Sequence, residues 1–169
     1  MKHRYLLLLL FIFAITGCND ENESDFQEIQ IEKYFPYYYE TESINNTDNK
    51  KTELFHHKIL LINSLNQLND NPLFEYCSES FKENLVGCDF DRYTLILTTT
   101  ITFNPVFEME CDFRYYKSLS EYECNKILYI KNTSTFPPEN IYFVANAFLV
   151  KKIPDNSNLS LTIGSLPKK

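Results

Sequence analysis

Four cysteines in the body of the chain, Cys77, Cys88, Cys111 and Cys124, are the residues best able to do covalent chemistry. If the chain is exported, as its first residues imply, an even number of cysteines predicts two disulfides, with three possible pairings. Zinc is not expected, because no two of them have the C-x₂₋₄-C spacing of a metal knuckle. His56-His57 is the one histidine pair; on a strand, adjacent side chains point to opposite faces and cannot easily share a metal, so both read as surface or strand-edge residues. Asp89 and Asp91 flank Phe90 and would share a face for acid-base work, but "CDFDRY" reads as a strand entrance, where Asp caps a turn and pairs with Arg92. There is no G-x-S-x-G, and three glycines leave no phosphate-cradling loop, so neither a catalytic residue nor a cofactor is expected. Tyr37, Tyr38 and Tyr39 in "YFPYYYE" are candidate ligand contacts, since their rings could stack on a sugar or a partner protein. Pro36 argues against a central strand, which favours an edge segment covering the core.

The elements that would position these groups can be read from periodicity. "VFEMECDFRYYKSLSEYECNKILYI" reads as two strands folding back at Lys117-Ser118, which opposes Tyr116 to Leu119, Arg114 to Glu121, Phe113 to Tyr122 and Cys111 to Cys124. A directly opposed, non-hydrogen-bonded pair lies within disulfide reach, and closing that loop would add about 3 kcal/mol. Lys-Ser is not a favoured two-residue turn, so a four-residue loop of the same symmetry is an alternative, and a bulge would move one cysteine off its partner. Cys77 and Cys88 would then pair by elimination, or remain buried thiols.

Lys58 to Ile62 is a short apolar run that predicts a buried strand, and Asn63 or Ser64 can cap the "SLNQLND" that follows. Pro72 opens a helical stretch whose stripe is Leu73, Phe74, Cys77, Phe81 and Leu85, with Gly87 as its stop. From Tyr93 to Phe103 the period changes to two, with one apolar and one threonine-rich face. Asn104-Pro105 turns the chain, Pro137-Pro138 breaks it, Ile141 to Ile153 is another strand and Leu159 to Ile163 a last one. "SINNTDNKK" reads as a loop. The expectation is an α+β fold: a mostly antiparallel β-sheet of about five to six strands, with one short helical region near residues 64–86 and a disordered N-terminal tether.

The N-terminus carries an address. Lys2, His3 and Arg4 precede an apolar run from Tyr5 to Ile15, too short at about 1.5 Å per residue to span a bilayer, so it reads as a secretory signal. Ile15-Thr16-Gly17-Cys18 resembles the lipobox of bacterial lipoproteins, which implies cleavage before Cys18 and acylation there. The acidic and amide-rich residues from Asn19 to Asp25 cannot bury enough surface to order themselves, and they also resemble the surface-export signal of Bacteroidetes lipoproteins. "LINSLNQLND", "CDFDRYTLI" and "FLVKKIPDN" are similar, in order, to short motifs of small lipoproteins of that group, although Leu97 stands where those relatives often carry glycine. The organisation expected is a signal peptide over 1–17, an acidic tether over 18–28 and a single β-rich domain over 29–169.

The net charge of −7, made more negative by loss of Lys2 and Arg4, leaves nothing basic to track a phosphate backbone, so nucleic acid is not an expected partner. Twelve Tyr, fourteen Phe and no Trp suit a β-rich core. The expectation is an outer-membrane lipoprotein, on the cell surface or the periplasmic face, held to the membrane through Cys18. It would act as a non-enzymatic binding module recognising an envelope or extracellular protein, with protease inhibition as one concrete version. The alternatives are a glycan-binding or accessory part of a polysaccharide uptake complex and, third, a hydrolase.

Overall fold

A computed structural model describes residues 25–131 and 138–167. Residues 1–17, Cys18 and the tether up to Ser24 lie outside the described residues. Among the described residues nine strands form two sheets, with three α-helices, α1 (Asn49–Phe55), α2 (Leu65–Asn69) and α3 (Glu79–Val86), so the class is α+β. Among the described residues, no helix is long and apolar enough to cross a membrane.

The first sheet has the order β1 (Phe26–Glu28), β6 (Val106–Tyr116), β7 (Glu121–Ile130), β9 (Asn158–Pro167). Its hairpin is present, but β6 and β7 pair two residues away from the expected register: Tyr116 opposes Glu121, Phe113 opposes Cys124 and Cys111 opposes Lys126. The reason is a four-residue loop, Lys117 to Ser120, in which Ser120 takes the left-handed conformation (φ 50°). A slip of two preserves which side chains share a face and changes only who faces whom. β9 runs parallel to β7, the one parallel pairing among the described residues. β1 occupies residues expected to be tether, and the Asp25 carboxylate accepts hydrogen bonds from the backbone N–H and hydroxyl of Ser118.

The second sheet is built on β8 (Asn140–Lys151) and β5 (Tyr93–Thr102), which pair along ten residues, with β4 (Ile59–Ile62) on the outer side of β5. The other edge of β8 is shared by two short segments: β3 (Tyr38–Ser43) covers its first half and β2 (Ile31–Tyr34) its end. Pro36 has no N–H to give and falls in the gap between them, as the edge reading of this segment requires.

This second sheet is the middle layer. One face, with Leu95, Leu97, Phe143, Ala145 and Ala147, packs under the helices through Phe55, Leu68, Phe81 and Leu85. The other, with Ile96, Phe148 and Val150, packs on Phe113, Cys124 and Tyr122 of the first sheet. The threonine-rich side of β5 is therefore interior: Thr94, Thr98 and Thr100 are buried between the sheets.

The helical region is three pieces rather than one. After α2 a 3₁₀ turn, Pro72–Glu75, brings in Leu73 and Phe74; Ser78 then starts α3 by accepting the N–H of Phe81. α1 begins within the last three residues of the stretch expected to be a loop, at Asn49, and continues to Phe55. Asp48 caps it by accepting the N–H of Lys50, and Lys51 and Phe55, four apart, point into the core. The buried Lys51 ammonium is held by Glu40 at 2.7 Å and Glu42 at 2.5 Å, and sits over the Phe143 ring.

Candidate functional site

The gap that Pro36 leaves in the edge of the second sheet is the mouth of a cleft of about 350 Å³. Tyr34, Phe35 and Tyr37 line one side, Met109, Glu110 and Cys111 of β6 the other, with Asn146 of β8 between them. The Tyr34 hydroxyl donates to the Cys111 carbonyl at 2.7 Å, tying β2 to the first sheet. Phe35 N–H donates to the Ala147 carbonyl, which fixes the chain as it leaves the sheet.

Behind this cleft, between the sheets, lies a polar cluster around Lys126. Lys126 is fully buried, and its ammonium donates to the Thr98 hydroxyl at 3.3 Å. Thr98 donates in turn to the Asn146 carbonyl oxygen at 2.5 Å, and the Asn146 amide donates to the Cys111 sulfur at 3.4 Å. Cys111 and Cys124 are diagonal neighbours on one face of the hairpin, and each thiol influences the other's ionisation. Burial pulls the Lys126 amine down to about 8, against the opposing effect of the two cysteines. The hydrogen bond from Cys124, with help from Lys126 and Asn146, outweighs burial and lowers the Cys111 thiol, while the same hydrogen bond and burial raise that of Cys124. The cluster can therefore hold a thiolate on Cys111 with a protonated thiol and an ammonium beside it.

All four cysteines in the described residues are free thiols. The expected opposition of Cys111 and Cys124 is replaced by the diagonal one, for the reason of register given above. Cys77 and Cys88 pack against the helical core, and burial pushes both upward, Cys77 to about 12.

The tyrosine run divides. Tyr38 is buried, packs on Phe55 and Phe81, and places its hydroxyl within hydrogen-bonding reach of the Tyr76 carbonyl, at 2.7 Å, and of the Glu40 carboxylate. Tyr37 and Tyr39 are exposed but stand at 86° to each other, so the three make no coplanar platform for a sugar ring. Tyr37 alone belongs to the cleft.

His56 and His57 are exposed in a turn rather than a strand, with His57 left-handed (φ 45°) and the rings 4.7 Å apart. Asp89 acts as a turn residue: its carboxylate accepts the N–H of Asp91 and its carbonyl those of Arg92 and Tyr93. Arg92 lies over the Tyr93 ring. Among the described residues, no three His, Cys, Asp or Glu side chains converge as metal ligands.

Sequence reasoning passed over Lys126 and Asn146. The signal was available: in "EYECNKILYI" Lys126 falls in the same alternate file as Tyr122, Cys124, Leu128 and Ile130. Compared with protein-family models, curated proteins and solved structures, the chain matches none.

Proposed function

We propose that this chain is a lipid-anchored envelope module that binds a protein partner, without catalysing a reaction, by taking one of the partner's apolar or aromatic side chains into the cleft. The observation that carries the reading is the cleft itself. Its volume is at the lower end for ligand sites, and it combines aromatic and aliphatic walls with a few convergent polar groups, Asn146, Glu110 and Cys111. Tyr34 and Tyr37 at its rim are about half exposed, at 54% and 42%, as anchor residues of an interface are before a partner arrives. The lipobox-like Ile15 to Cys18 supports attachment to a membrane, since two or more acyl chains hold where one does not. Glycan binding has lost the flat aromatic platform that suggested it.

A photo-cross-linking amino acid in place of Tyr37, in the full-length protein in its native envelope, tests the reading, with the same group at exposed Glu83 on α3 as control. A discrete protein adduct is expected from position 37 and not from 83; equal adducts from both, or none from 37, defeat it. Cys18→Ala should abolish fatty-acid labelling and membrane fractionation, and unchanged fractionation would remove the anchor from the proposal.

A further inference from the structure

We infer that Cys111 and Cys124 form a redox-active dithiol at the foot of the cleft, in which Cys111 attacks a low-molecular-weight disulfide and Cys124 resolves the adduct. The two cysteines are diagonal neighbours on one face of the hairpin, and they differ in access: Cys111 lines the open cleft, whereas Cys124 is fully buried behind it. Attacking and resolving thiols need this asymmetry. Polar partners converge on the accessible sulfur, with the Asn146 amide at 3.4 Å and Lys126 directly across the hairpin. These are the surroundings that keep a thiol ionised and nucleophilic, and the downward displacement of Cys111 agrees. Cys77 and Cys88, which burial displaces upward, lack them.

The register also argues for reversibility. Diagonal residues of an antiparallel pair have Cα atoms about 7–8 Å apart, beyond the usual disulfide range, so a Cys111–Cys124 bond draws the strands together. A bond under that strain is more easily reduced than a structural one.

The Cys111 thiolate attacks one sulfur of R–S–S–R; the S–S bond breaks, and RS⁻ takes a proton from the Lys126 ammonium and leaves through the cleft as RSH. Lys126, now neutral and without the thiolate that favoured its charge, accepts the proton of Cys124. The Cys124 thiolate attacks the Cys111 sulfur and expels the second RS⁻, which leaves as RSH once Lys126 has returned the proton. Two protein thiols are oxidised to a disulfide and R–S–S–R is reduced to two RSH. The cleft is small and carries Glu110, which favours a compact uncharged disulfide over a bulky anionic one. This inference uses the cleft but not the protein partner proposed above, so the two fail separately.

The test treats the reduced full-length chain, purified in detergent, with 2-hydroxyethyl disulfide and maps its peptides by mass spectrometry. The wild type should lose two hydrogens, yield a linked Cys111–Cys124 peptide pair and revert with dithiothreitol. Cys124→Ser should stall as a hydroxyethyl mixed disulfide on Cys111. Oxidised glutathione should react about tenfold more slowly. Lys126→Met should slow alkylation of Cys111 about tenfold at neutral pH and move its pH midpoint upward, which a merely structural lysine would not do. The other titratable groups around Cys111 are Glu110 and Asp112 on its own strand, Cys124 on β7 and Tyr34 on β2, and all four remain in that variant. A wild-type chain that stays reduced, or that is modified first at Cys77 or Cys88, overturns the inference whatever the variants do. A folded Cys124→Ser chain left unmodified at Cys111 does so too.

Discussion

Replacing Lys126 by methionine should stabilise the protein at neutral pH and remove a pH dependence that the lysine imposes. The amine is displaced from 10.5 to about 8 by burial, which corresponds to about 3 kcal/mol spent holding an ammonium between the sheets. Because the folded chain holds this proton more weakly than the unfolded chain, the penalty is complete below about pH 8. Stability recovers as pH rises from there to 10.5, where both states have released it. Methionine matches the length of the stem without the charge, but the hydrogen bond to Thr98 and the pairing with Cys111 are lost, so the net gain at neutral pH should be about 1–3 kcal/mol. Urea denaturation of both proteins under reducing conditions, from neutral pH to above pH 10, measures this. The difference between them should shrink across the window and vanish or invert at its top. Cys77, pushed up to about 12, withdraws stability above its ordinary value of 9 in both proteins and drops out of the difference, whereas Cys111, lowered to about 7 partly by Lys126, adds stability to the parent as pH rises from about 7 to 9, and loss of that aid in the variant shrinks the difference further. A variant less stable at neutral pH, with the parent's own pH profile, would refute the account of Lys126 as a strained buried charge.

Phe55→Ala should cost about 3–5 kcal/mol by urea or thermal denaturation, since the ring is fully buried, 5.3 Å from Phe143 and 5.8 Å from Tyr38. An effect below about 1 kcal/mol would mean that α1 is not part of the core. Thr100→Val should raise stability by about 1 kcal/mol, because the Thr100 hydroxyl is buried between the sheets without a hydrogen-bond partner among the described residues; a loss of that size in the same assay would reveal a partner.

The long elements were legible because their periodicity is unambiguous. Tyr93 to Thr102 and Ile141 to Lys151 alternate or run apolar for long enough to be strands in any context, and Pro36 correctly marked an edge. α1 was hidden because "NKKTELF" is mostly polar: only Leu54 and Phe55 advertise a buried side, and the inward Lys51 is satisfied by two glutamates that lie on β3. The hairpin faces were readable and its register was not, since the choice between loops depended on Ser120 accepting a left-handed backbone, for which serine gives no signal. The cleft depends on where β2 stops and β3 begins along β8, a tertiary match that neither segment encodes alone. Lys126 is hard to place from sequence because charge is an outside signal by default, whereas its parity along β7 turns it inward.

The first strand meets its sheet over three residue pairs, whereas the last meets β7 over ten. A mechanical load applied at residue 25 would therefore be resisted first by that short ladder and by the Asp25 hook on Ser118, and these would yield while the ten-residue closure at the opposite border still held. Such a hierarchy works as a fuse: under tension the molecule would pay out a few residues of chain from its leading end and keep its three layers, and the cleft between two of them, intact.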